Sequence, residues 1–115
     1  MTTQVRFVTN ESARTRASLH AKLTRLGFSM ALEDILTPAM AMVTIIQQHN
    51  LRPHLLVHPH VMEDFSGVDT SDPNCVVIGD CAEHFTFAKL NDAFQVKCRD
   101  LKTFKHDLNS GPVEA

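Results

Sequence analysis

The stretch VRFVTN, residues 5–10, decides how the fold is read. Val5, Phe7 and Val8 put β-branched and aromatic residues between polar ends, the pattern of a short buried strand. The strand ends in Thr9-Asn10 and runs into a helical pattern in which Leu19, Leu23 and Leu26 share one stripe. Asn10 or Ser12 is the expected cap of that helix, Arg14, Arg16, Lys22 and Arg25 form its wetter side, and Gly27 supplies a left-handed stop. A strand of this kind normally lies inside a sheet with other strands before it. Here only four residues precede it.

Outward from that stretch, Thr37-Pro38 is a helix start, because Thr caps and Pro suits the first helical position. Ala39, Met42, Val43 and Ile46 line one face of the helix, and Asn50 ends it. Leu55–His58 reads as a second strand, closed by Pro59, which opens a short helix through Met62 and Phe65. SGVDTSDPN, residues 66–74, is a dense turn signal. Cys75–Ile78 is nearly all apolar, which predicts a third strand covered on both faces. Phe87, Leu90, Phe94 and Leu101 then predict a last helix, and HDLNSGPVEA, residues 106–115, reads as a frayed tail. This order belongs to an α/β protein with crossover connections. Two helical patterns fill the first gap between strands, so the chain is expected to pass from one sheet to another between residues 28 and 37.

With 115 residues the chain makes one modest domain at most. Its net charge of −2 supplies no basic footprint for nucleic acid, and no apolar run reaches the ~18–20 residues that span a bilayer. The N-terminus does not read as a secretory signal. Three cysteines, Cys75, Cys81 and Cys98, lack CxxC spacing, which argues against a disulfide framework or a zinc knuckle and for reduced thiols in the cytoplasm.

Four constellations bear on chemistry. Thr9-Asn10 places a hydroxyl and an amide at a strand end before a helix, where backbone N–H groups and the helix dipole favour a phosphate. Asn10 acting only as a helix cap is the competing reading. His54, His58 and His60 alternate at a strand end, but no carboxylate or second ligand pair joins them, so a metal site is rejected in favour of partly exposed histidines. VVIGD, residues 76–80, resembles a magnesium-binding strand end, yet Cys81 and His84 stand where a second acid belongs and Glu83 is at the wrong offset. Asp80 therefore reads as a loop cap. Cys81 near His84 lacks the third group that would orient a thiol nucleophile.

VRFVTNESARTRASLHAKLTRLGF, LRPHLLVH, DTSDPNCVVIGD and NDAFQV together resemble the phospholysine phosphohistidine inorganic pyrophosphate phosphatase family of haloacid-dehalogenase-like hydrolases, from residue 5 to about 97. The resemblance implies a partial Rossmann-like core, one strand and helix over residues 1–32, then an α/β cap over residues 33–97 and a divergent tail over residues 98–115. Such enzymes use an aspartate at the end of the first core strand as nucleophile, with Mg²⁺ bridging it to the phosphate. By resemblance Thr9 is the second-motif residue that hydrogen-bonds the phosphoryl group, with Asn10 beside it. The nucleophile, the lysine of the third motif and the acidic pair of the fourth do not occur here, and VVIGD falls on a cap strand. The expectation is a truncated phosphatase chain, inactive alone, with its Mg²⁺ ligands elsewhere and a phosphate-containing substrate in the longer protein. The alternative is a non-catalytic cap fragment that binds the complete enzyme, with a homodimer through the cap. The expected compartment is the cytoplasm, with the nucleus second.

Overall fold

A computed structural model describes residues 3–108, and side chains as far as Lys97. Strand β1, Phe7–Val8, pairs in parallel with β2, Ile35–Leu36, with Phe7 opposite Ile35. The Thr9 N–H extends this ladder by donating to the Leu36 carbonyl at 3.1 Å. Strand β2 has no counterpart in the sequence reading. Two apolar residues cannot show a period, and only pairing with β1 makes them a strand.

Helix α1, Arg16–Arg25, connects the two strands. Its cap is Thr15, whose Oγ1 accepts the Ser18 N–H at 3.0 Å, and not Asn10 or Ser12. The start is delayed because two side chains capture amides ahead of it. The Glu11 N–H donates to Thr9 Oγ1 at 3.1 Å, and the Ala13 N–H donates to Glu11 Oε1 at 3.0 Å. Such local bonds hold the backbone in turns that compete with helix. The expected stop at Gly27 is found. With φ at 95° it lets Phe28 N–H reach the Leu23 carbonyl and Gly27 N–H the Thr24 carbonyl, the paired bonds of a Schellman end.

Helix α2, Pro38–Gln48, starts as the sequence predicts: Thr37 Oγ1 accepts the Met40 N–H at 3.2 Å and Pro38 takes the first turn. Asn50, at φ 53°, closes it in the left-handed region. The chain then enters a second parallel pair, β3 Pro53–Leu56 with β4 Cys75–Ile78. Strand β3 lies two residues before its expected place. Arg52 N–H donates to Asn74 Oδ1 at 2.9 Å and Asn74 N–H returns to the Arg52 carbonyl at 2.8 Å, which sets Pro53 opposite Cys75. A proline is tolerated as the first strand residue, where its missing N–H breaks no ladder. At the other end His58 leaves the strand to cap the 3₁₀ turn Pro59–Phe65.

One core joins α2, the 3₁₀ turn and β4 through Ala39, Val43, Ile46, Val61, Phe65 and Val77. A smaller one joins Leu56 and Cys81 to Ala93 of helix α3, Phe87–Leu108, which Thr86 caps through the Lys89 N–H. The sequence stripe on α3 is turned from its expected direction. Ala93 and Val96 are buried while Phe87 and Phe94 face outward, because small Ala93 lets the helix approach Leu56 and Cys81. Leu101 and the whole predicted tail lie outside the described side chains, and helix α3 runs to Leu108, three residues into that tail. Strand β4 is covered on both faces, as expected, though unevenly: Val77 is buried in the main core and Val76 packs against the smaller one, while Ile78 at the strand end is 59% exposed. The α/β class holds, built as two short parallel pairs with helices between them.

Candidate phosphate-binding site

Thr9 stands at the C-terminal end of β1, half-buried, with Asn10 exposed beside it. Two bonds fix Thr9. Its N–H donates to the Leu36 carbonyl, and its Oγ1 accepts from the Glu11 N–H, so the hydroxyl keeps its own proton to donate. A strand-end hydroxyl with a proton to give can donate to an anion. Asn10 does not cap α1, since that role belongs to Thr15.

The loop that Thr9 opens leads into a cleft of about 480 Å³ between two parts of the chain. Ala13, Arg14, Thr15 and Ser18 line it from the start of α1, and His58 and His60 line it from the 3₁₀ turn. The two parts are tied together by Asp64, whose Oδ2 accepts the Arg16 N–H at 3.0 Å across 48 residues of sequence. Burial raises the Asp64 carboxyl above its usual value, against the opposing pull of the Arg16 amide and guanidinium. Sequence reasoning missed Asp64, because a contact this distant leaves no local pattern. Thr15 carried a usable signal: a Thr three residues before Ser18, heading the run that becomes α1.

The histidines gather, though not as the sequence spacing suggested. His58 and His60 rings stand 4.6 Å apart, and His84 comes edge-on to His58 at 5.3 Å. His54 remains in β3. The His60 N–H donates to His58 Nδ1 at 3.1 Å, so that nitrogen is the acceptor and the ring proton of His58 sits on Nε2. A bond that occupies Nδ1 removes one ligand nitrogen. Among the described residues, no group of three or more His, Cys, Asp or Glu is arranged to hold a metal ion. His84 pairs with Glu83 at 3.6 Å. The Glu83 carboxyl is held below its usual value, first by its own backbone N–H and then by His84.

Asp80 accepts the Ala82 N–H at 3.1 Å, and its strand β4 pairs with β3 rather than with the strand that carries Thr9. It closes a turn in which Ala82 takes φ 45°. Cys81 is completely buried against Leu56 and Ala93, out of reach of any substrate. The described residues do not fit Mg²⁺, which wants several oxygen ligands around one point.

The haloacid dehalogenase-like hydrolase family model matches residues 1–71. The zebrafish (Danio rerio) phospholysine phosphohistidine inorganic pyrophosphate phosphatase is 51% identical over 92 residues, which is 80% of this chain and 34% of that protein. The human (Homo sapiens) protein of the same name is 47% identical over 93 residues, 81% of this chain and 34% of its own length. Among solved structures, a p-nitrophenyl phosphatase from Archaeoglobus fulgidus superposes with a TM-score of 0.72 at 22% identity, covering 83% of this chain and 39% of that one. At that identity the likeness concerns fold alone. The chain spans about a third of the length of the curated relatives it matches. No helix among the described residues is long and apolar enough to cross a membrane.

Proposed function

This chain belongs to the haloacid dehalogenase-like hydrolase family, and from that premise we propose that its residues form the second-motif strand and the cap of a Mg²⁺-dependent phosphatase acting on phosphohistidine, phospholysine and inorganic pyrophosphate. One observation carries the reading: Thr9 ends a parallel core strand with its hydroxyl proton free to donate, inside the stretch that the family model matches. In the proposal Thr9 and Asn10 bind phosphate. The core portion is residues 1–32, the cap is residues 33–97, and residues 98–115 form a tail. The change of sheet follows Leu36, where Thr37 starts α2. The longer enzyme works in the cytoplasm, with the nucleus as a second compartment.

When bound, Mg²⁺ would neutralise phosphoryl charge and orient the nucleophile in such an enzyme. Its ligands and the nucleophilic aspartate come from outside these 115 residues. The chain by itself is therefore expected to release no phosphate from inorganic pyrophosphate above the blank, with or without Mg²⁺. A Mg²⁺-dependent rate that disappears in Thr9→Val would sink the proposal. Binding is tested separately: inorganic phosphate should shift the Thr9 and Asn10 amide signals saturably, and Thr9→Val should abolish that response.

A second reading is favoured by a different observation. A groove of about 560 Å³ runs between β4 and α3, lined by Cys75, Val76, Ile78, Leu90, Ala93 and Phe94 among others. Its apolar walls suit a non-catalytic module that pairs through the cap with a second copy or with the complete enzyme. Sedimentation of the chain as a dimer, broken by Ile78→Asp, supports this reading. A monomer at all concentrations removes it.

A further inference from the structure

The 3₁₀ turn Pro59–Phe65 joins two parts of the molecule: Val61 and Phe65 sit in the main core, and Asp64 holds the first amide of α1. The start of this turn is closed by a side chain, since the His60 N–H donates to His58 Nδ1 at 3.1 Å. Caps are ordinarily made by Ser, Thr, Asn or Asp, whose oxygens stay acceptors around neutral pH. Histidine is the cap whose acceptor a proton can remove there. Nε2 of His58 already carries a hydrogen, so a second proton has to go to Nδ1. That nitrogen then becomes a donor facing the N–H it had accepted, and the bond is lost.

The charged and titratable groups around the ring come from three elements. His60 stands 4.6 Å away on the same turn, and His84 comes edge-on at 5.3 Å from the turn Ala82–His84. His84 is fixed there by its N–H, which donates to the carbonyl of fully buried Cys81 at 2.8 Å. Arg14 lines the same cleft from the start of α1, with Glu11 bonded to the Ala13 N–H beside it. On the turn itself Asp64 is engaged with Arg16, and Glu63 adjoins it. Glu83 pairs with His84 at 3.6 Å and interacts with His58 and His60, so it favours proton uptake by the three rings. It gives the His60 N–H no replacement acceptor. The loss of the cap therefore follows from where the proton goes, whatever the net charge of the cluster.

We propose that His58 is a proton-operated latch on the turn that joins the main core to α1. Neutral, it closes the start of the turn; charged, it releases the His60 N–H and lets His58 and His60 move away from the cleft they line with Arg14. Loss of one neutral hydrogen bond raises such an opening equilibrium about fivefold. Val61 and Phe65 stay anchored in the core, so the opening is local. The latch is independent of the function proposed above and needs no phosphate.

The test follows imidazole and amide signals of the 115-residue chain by NMR while the pH is lowered from about 8 to 5. At the upper end the ring nitrogens of His58 should show a proton on Nε2 alone. As pH falls, the His60 amide should shift with the same midpoint as the His58 ring. Its hydrogen exchange, corrected for the intrinsic rate, should quicken about fivefold. In His58→Asn, which keeps a capping oxygen that does not titrate, the His60 amide should stay protected throughout. In His58→Ala it should be released at every pH. Asp64→Asn should leave the response in place, which separates the latch from the carboxyl on the same turn. A proton on Nδ1 at the upper end, a His60 midpoint different from that of His58, or a response that survives His58→Asn overturns the latch. Histidine signals at random-coil positions overturn it too, since the cap exists only in the folded turn.

Discussion

The two strand pairs differ sharply in what holds them. The β3–β4 pair rests on a continuous core from α2, the 3₁₀ turn and β4, with Ile46, Val61 and Phe65 nearly or fully excluded from water. The β1–β2 pair has Ile35 and Leu19 inside, while Val8 is 74% exposed and Leu26 faces solvent. Both pairs are parallel and both connect through helical segments, so topology does not account for the contrast. Apolar area removed from water does, since that is the dominant favourable term in folding. Secondary structure alone therefore says little about which part of this chain is stable.

The largest expected effect that tests this contrast is Phe65→Ala. It should cost about 3–5 kcal/mol in urea unfolding by leaving a cavity in the main core. Val8→Ala, in the other pair, should change stability by less than about 0.5 kcal/mol. Equal costs at the two sites would erase the distinction. Hydrogen exchange should show the same order, with β1 amides opening at lower free energy than β3 amides.

An intermediate effect is expected where the two pairs meet. Thr37 is almost completely buried and caps α2 directly after β2. Thr37→Ala should cost about 1–2 kcal/mol, the upper range for loss of a buried cap, while Thr37→Ser should recover most of it. Failure of serine to rescue would mean that packing of the Thr methyl, and not the cap bond, joins the pairs.

The smallest effect concerns Asp64, the carboxylate that ties α1 to the 3₁₀ turn. Its folded value is raised by burial, so the folded chain holds this proton more tightly than the unfolded chain. Its contribution to stability is thus greatest below the unfolded value and falls as pH rises through the folded value. Asp64→Asn keeps an acceptor for the Arg16 N–H without the buried charge. At pH 7 it should leave the chain equally stable or more stable, by less than about 1 kcal/mol because the site is half-exposed and screened. Relative to wild type, its advantage should shrink as pH is lowered towards 4. An advantage that grows on acidification contradicts the raised value.

Elements with a local chemical signature were legible in the sequence. Thr37-Pro38 capped its helix, Gly27 and Asn50 ended theirs in the left-handed region, and Cys75–Ile78 formed a strand with the expected bounds. Elements made by pairing were not. Strand β2 exists because Ile35–Leu36 meets Phe7–Val8, and β3 moved two residues because Asn74 holds Arg52. The candidate site divides along the same line. Thr9 at a strand end could be named from VRFVTN and from the family resemblance.

Residue identity and short-range bonding, then, determined the caps, the stops and the position of Thr9, because each depends on groups within a few residues of one another. Tertiary structure decided that His58 and His60 line one cleft with Arg14, and that Asp64 reaches the Arg16 amide. The Asp64 bond joins residues 48 positions apart. Local pattern cannot encode such contacts, because the entropy of closing so long a loop is recovered only when the cores around it form.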